Sequence, residues 1–153
     1  MEFNEDKKEI YFKRVYDNIE KFGYHTTAVA EEKGFTPFAY STGIFENFKI
    51  PELFISGLGP NLSGDIIKKY TEKYKFENVP LNEKITDLID VFPVYFIKVN
   101  VDDLKNYALT SIKFYENRDY EYFQVIFPDL NGNFPNEINY DYDQKIMGHF
   151  KLK

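Results

Sequence analysis

Residues 23–58 read GYHTTAVA (23–30), EEKGFTP (31–37), FAYSTGIF (38–45), ENFKIPE (46–52) and LFISGL (53–58). Three runs in this stretch, 24–30, 37–44 and 52–57, are rich in Val, Ile, Thr, Tyr and Phe, the residues that suit a pleated, half-buried surface. The polar link 31–36 carries Gly34 and predicts a hairpin between the first two runs. Pro51 stands just before the third run, where a missing N–H harms a strand least. Three strands so close together are predicted to pair antiparallel. A doubly wound parallel sheet would need strands and helices to alternate throughout.

Working outward, residues 5–22 predict a helix with Phe12, Val15, Ile19 and Phe22 on one apolar face, Asn4 as its cap and Gly23 as its stop. A second helix is predicted over 61–75, with Leu62, Ile66, Ile67, Tyr70 and Tyr74 facing inward. Residues 76–92 are ambiguous, and Ile85, Leu88 and Ile89 suggest one short element. Residues 93–99 read as a strand, 101–116 as a third helix with Leu104, Ala108, Ile112 and Tyr115 inward, and 121–127 as the last strand. The expected fold is α+β: a mostly antiparallel sheet of five to six strands flanked by three helices. It forms one domain over 1–135, followed by an extended or partly ordered tail, 136–153.

The chain has 153 residues, enough for a substantial core. It holds 16 Phe and 13 Tyr and no Trp, so the core is expected to be built from rings. With no Cys, it has no disulfide, thiolate metal site or Cys nucleophile, and a cytoplasmic setting fits. No apolar run reaches membrane-span length, so no membrane contact is expected. Net charge is −6, and of nineteen Lys and Arg only Arg14 and Arg118 are Arg, which argues against general nucleic-acid binding. The heavy use of Lys, Asn, Ile, Tyr and Phe fits AT-rich coding and a bacterial or phage source.

Six residues stand out as candidate ligand-binding groups: His25, Tyr40, Thr42, Glu52, Gln124 and Asp129. His25 has the residue type of a general base or metal ligand; its structural alternative is a hydrogen bond to a neighbouring element. Tyr40 and Thr42 share a strand face and offer two hydroxyls, with Gly43 beside them as a bulge or close-packing point. Glu52 is placed to accept from His25 or from loop N–H groups. Gln124 is either a pocket group or a cross-sheet partner. Asp129, before Asn131-Gly132, is expected to organise an Asx-type turn. No Gly-x-Ser-x-Gly, P-loop or dinucleotide fingerprint is present, and no ligand-spaced carboxylate or His set, so no metal and no cofactor is expected.

Several short motifs follow one another in order: Gly23-Tyr24-His25, Phe38-Ala39-Tyr40-x-Thr42-Gly43, Pro51-Glu52-Leu53, Pro93-Val94-x-Phe96 and Pro128-Asp129-x-x-Gly132-x-Phe134-Pro135. This ordered set, from Gly23 to Pro135, resembles the bacterial domain of unknown function 4262 family. Where family members often carry Trp, this chain has Tyr24 and Phe127. The resemblance implies a fold neighbourhood and brings no activity with it.

Two functional readings follow. The first is a non-catalytic binding domain for a small polar, nucleotide-like ligand or a protein partner, in a bacterial or phage accessory or conflict setting. The second is a small hydrolase-like enzyme with His25 as general base and Glu52 or Asp129 as its acid partner. The aromatic excess and an open sheet edge also leave room for a homodimer.

Overall fold

The computed structural model describes residues 5–30 and 33–150. Asn4, Glu31, Glu32 and the last three residues of the tail lie outside them.

The element order is α1 (Glu5–Phe22), β1 (His25–Val29), β2 (Phe38–Thr42), α2 (Ile44–Phe48), β3 (Glu52–Ser56), α3 (Pro60–Tyr74), β4 (Tyr95–Val99), a 3₁₀ turn (Val101–Leu104), α4 (Leu109–Tyr115) and β5 (Tyr122–Ile126). The five strands form one mixed sheet in the order β1-β2-β3-β5-β4. β1 pairs antiparallel with β2, from His25 opposite Thr42 to Val29 opposite Phe38. β2 and β3 are antiparallel, as are β4 and β5. The single parallel pair joins β3 to β5, with Glu52 opposite Tyr122 and Phe54 opposite Gln124. The chain is thus a mostly antiparallel α+β domain.

Side chains alternate across the sheet, so its two faces make two cores. On one face Leu53, Ile55, Phe96, Phe123 and Val125 meet Ile66, Ile67, Tyr70 and Tyr74 of α3. The ring of Phe96 stands edge-on to Tyr70 and Tyr74, at 5.3 and 5.7 Å between centroids. On the other face Phe38, Tyr40, Phe54, Ile97, Tyr122 and Ile126 meet Leu104 and Ala108.

The helix expected over 101–116 is broken. Val101–Leu104 form a 3₁₀ turn, Ala108 leaves helical geometry at φ −88 and ψ 56, and α4 begins at Leu109. The reason is tertiary. The Tyr107 ring turns in against Phe38 and Phe54, and Thr110 and Ser111 bury their hydroxyls against β2, which leaves Ile112 exposed. Phe22, expected on the inward face of α1, is also exposed, while Val15 and Ile19 are buried. The region 76–92 has no helix or strand of its own. Ile85 bridges to Val94 instead, and Ile85, Leu88 and Ile89 are all buried. A fourth, five-residue helix, α2, follows Gly43, which lies at φ +106 and packs against Ile19 and the Gly23 carbonyl.

Residues 136–150 contain no helix or strand, yet they are fastened to the sheet. Gln124 donates to the Lys145 carbonyl at 2.6 Å and accepts from the Met147 N–H at 2.8 Å. Ser56 accepts from the Lys145 N–H at 2.9 Å, and Tyr142 donates to the Gly57 carbonyl at 2.7 Å. Gly57, at φ +92, leaves no room for a Cβ, which would sit 2.5 Å from the Asp143 carbonyl. Ile146, Met147 and Phe150 then pack on the second core.

Gln124→Ala removes two of the strap's hydrogen bonds and should cost about 1–3 kcal/mol, read from urea unfolding. Limited proteolysis should cut within 136–150 markedly faster in the variant. Unchanged cutting would show that the strap is held elsewhere.

Candidate functional site

A hollow with a volume of about 1000 Å³ lies between α1, the β1–β2 hairpin and the start of α4. Lys7, Lys8, Tyr11 and Phe12 come from the first turns of α1. Val29, Ala30 and Phe35 come from the hairpin end, and Phe38 and Tyr40 from the face of β2. Asn106, Tyr107, Leu109, Thr110 and Lys113 close the far side. The break in the expected third helix makes this hollow possible. It turns Tyr107 and Thr110 toward β2, where an unbroken helix would present Ile112.

The floor is a chain of hydroxyls. Tyr40 Oη donates to Thr110 Oγ1 at 3.0 Å and accepts from the Thr110 N–H at 3.1 Å. Tyr11 Oη lies 2.9 Å from Thr110 Oγ1 and 3.2 Å from Thr27 Oγ1. Burial pushes the Tyr40 phenol above its ordinary value, and the bonds to Thr110 pull it back in part. The phenol therefore stays protonated and serves as a hydrogen-bond donor. The walls are rings: Phe38 stacks beside Tyr40, with centroids 6.2 Å apart, and Tyr107 stands edge-on to Phe38 at 5.2 Å.

Of the six residues singled out from sequence, Tyr40 alone lines this hollow. His25 is half-buried against α1, with its Nδ1 3.0 Å from Asn18 Nδ2 and its ring edge-on to Tyr11. Burial, then the charge of Arg14, holds the imidazole below its ordinary value. Thr42 is buried, with Oγ1 2.7 Å from Ser111 Oγ. Gln124 fastens the strap described above. Asp129 organises the expected turn, accepting from the N–H groups of Asn131, Asn133 and Asp141, each at 2.9 Å. Some desolvation acts upward on Asp129, but these donors outweigh it and hold the carboxyl below its ordinary value.

Glu52 is fully buried and has no cationic partner among the described residues. It accepts from Ser41 Oγ at 2.6 Å, from the N–H groups of Gly43, Ile44 and Phe45 at 2.8, 3.2 and 3.2 Å, and from the Tyr115 hydroxyl. Burial pushes its carboxyl above the ordinary 4.5, while Ser41, Tyr115 and the backbone donors of Phe45 and Gly43 pull it back in part. Beside it lies a second hydroxyl cluster: Ser111 and Tyr122 both donate to the Ser41 carbonyl, at 3.1 and 2.7 Å. No buried side-chain N or O among the described residues lacks a partner. No group of three His, Cys, Asp or Glu among them is placed to hold a metal ion.

Among the hollow's other residues, Tyr11, Phe35, Tyr107, Thr110 and Lys113 carry no local motif, while Phe38 opens the Phe38-Ala39-Tyr40 motif. Tyr11 sits one place off the apolar stripe that defines α1, a small clue that a second face of this helix is used.

A family model described as Domain of unknown function (DUF4262) matches residues 18–141, and the chain belongs to that family. No curated protein and no solved structure matches the chain. Lys7, Lys8, Tyr11 and Phe12 lie before the matched span, so one wall of the hollow is this chain's own observation and is not implied by the family.

Folded Glu52 binds its proton more tightly than the unfolded chain does. Above about pH 4.5 the folded state therefore holds more proton, and raising the pH through the folded value withdraws stability. Wild type should lose stability relative to Glu52→Gln as the pH is raised from about 4.5 toward neutrality in urea titrations. A relative gain over that range would show the anion to be the better-held form. Tyr115→Phe, which removes one donor without opening a cavity, should cost about 1–3 kcal/mol at either end.

Proposed function

We propose that this member of the DUF4262 family is a non-catalytic binding domain whose ligand is a small, largely apolar molecule held between α1, β2 and α4. The observation that carries this reading is the hollow itself. Its volume of about 1000 Å³ is at the upper end of the range for small-molecule sites, and its walls are mostly rings over a short hydroxyl floor. Tyr11, Tyr40 and Thr110 bond to one another, so they present few unsatisfied polar valences to a ligand. The body of the ligand is accordingly apolar, with at most one hydrogen-bonding group near the Tyr40 and Thr110 oxygens. This shifts the emphasis of the sequence reading from a polar ligand to an apolar one and keeps the binding role.

The catalytic reading draws no support from the geometry. The hydrogen-bond partner of His25 is Asn18, and the carboxylates of Glu52 and Asp129 are taken up by backbone N–H groups and hydroxyls. A cytoplasmic setting belongs to the same proposal and rests on the absence of Cys. No described helix is long and apolar enough to cross a membrane.

The neutral dye phenylnaphthylamine, whose fluorescence rises in apolar surroundings, tests this directly. Wild type should bind it at one site. Leu109→Asp places a charge at the mouth on an exposed residue that opens α4, and should weaken binding about tenfold or more while the protein unfolds at an unchanged urea concentration. Failure of wild type to bind, or equal binding by the variant, would remove the proposed site.

A further inference from the structure

We infer that the ligand is an amphipathic organic anion: an apolar ring system or acyl chain in the hollow, with one carboxylate, sulfonate or phosphate group held at the mouth by Lys7, Lys8 and Lys113. This rests on the small-molecule reading above and adds the class of ligand to it.

Charge is the first support. Among the described residues the hollow is lined by three Lys and by no Asp or Glu, in a chain of net charge −6. Acidic residues outnumber basic ones along the chain, 25 to 19, so a lining with only cations runs against the composition. Among the described residues, Lys13, Lys69, Lys73 and Arg118 each lie within 4 Å of a carboxylate, while Lys7, Lys8 and Lys113 have no such pair.

Position is the second support. Lys7, Lys8 and Lys113 line the hollow and are exposed, so their ammonium groups stand where the hollow meets water. Lys113 is seated on the wall, with Nζ 5.3 Å from the centroid of the Phe12 ring. The interior offers nothing for a charge: Phe38 and Tyr107 pack ring to ring, and the floor hydroxyls already bond to one another. A buried anion would be desolvated there without a cation beside it, which is costly. The low-energy pose therefore places the apolar body inside and the anion among the lysines. An acyl acid and an aromatic acid share this chemistry.

Two dyes with one common body separate this inference from the reading it rests on. Phenylnaphthylamine is neutral, and anilinonaphthalene sulfonate is the same ring system with a sulfonate. In low salt the sulfonate should bind wild type about tenfold more tightly than the neutral dye, and added salt should shrink that preference. Lys8→Gln combined with Lys113→Gln, which removes two of the three cations, should weaken sulfonate binding several times more than neutral-dye binding and cut the preference to about threefold or less. Displacement by decanoate or naphthoate at concentrations where decanol and naphthylmethanol do nothing would support the anion and show which body is preferred. Equal binding of the two dyes, or equal displacement by acids and alcohols, would overturn the anionic class and leave the apolar site standing. Binding of neither dye would remove the site itself.

Discussion

One carboxyl group out of reach of water, that of Glu52, ties four elements together. It stands at the start of β3, receives the Ser41 hydroxyl from the end of β2, receives three N–H groups from the turn into α2, and receives the Tyr115 hydroxyl from the end of α4. An acid so placed is costly to bury and pays its way only when every oxygen valence is filled. Five donors fill them here. Because α4 is held at its far end by this acid and at its near end by Tyr40 and Thr110, its distance from β2 is fixed at both ends. That fixed spacing keeps the hollow beside α1 open.

The rest of the second face follows the same logic of shared hydroxyls. Ser41 places its side chain on Glu52 and lends its carbonyl to Ser111 and Tyr122, and Thr42 adds a further bond to Ser111. Thirteen tyrosines in a small domain are often boundary residues, but here Tyr40, Tyr70, Tyr115 and Tyr122 are fully buried with their hydroxyls bonded. Each buries its ring and gives a proton to an acceptor distant in the chain. The two cores are thus apolar in area and specified by a few polar links.

Much of this was legible in sequence, for local reasons. The three β-rich runs between Tyr24 and Gly57 and the helical periods around Val15 and Ile66 are repeated signals within one element, and the structure follows them. The Asx turn at Asp129 is a local motif and is seen as read. What was illegible depends on distant partners. The parallel pairing of β3 with β5 leaves no mark in either strand. The helix expected over 101–116 satisfied a helical period, yet the bonds of Thr110 and Ser111 to β2 overrode it. Tyr40, Thr42 and Glu52 stand out in sequence as candidate ligand-binding groups. In the structure Ser41, Thr42 and Glu52 are taken up by buried bonds while Tyr40 also lines the hollow, and sequence alone does not separate a polar residue kept for a ligand from one kept for a buried acid. The hollow draws on positions from Lys7 to Lys113, and of these only Phe38 and Tyr40 stand in a motif.

The strap over the second face has a consequence for synthesis. The amide of Gln124 and the hydroxyl of Ser56 have their partners in residues 145 and 147, which the ribosome makes after every strand. A nascent chain that has emerged only through β5 holds all five strands but leaves these polar groups, and the apolar surface beneath Ile146 and Met147, uncovered. β3 must in addition wait for β5, about seventy positions later, before its parallel neighbour exists. Folding in that order passes through a stage in which the sheet is assembled and the patch under the strap is still bare, a natural point for a chaperone to hold the chain.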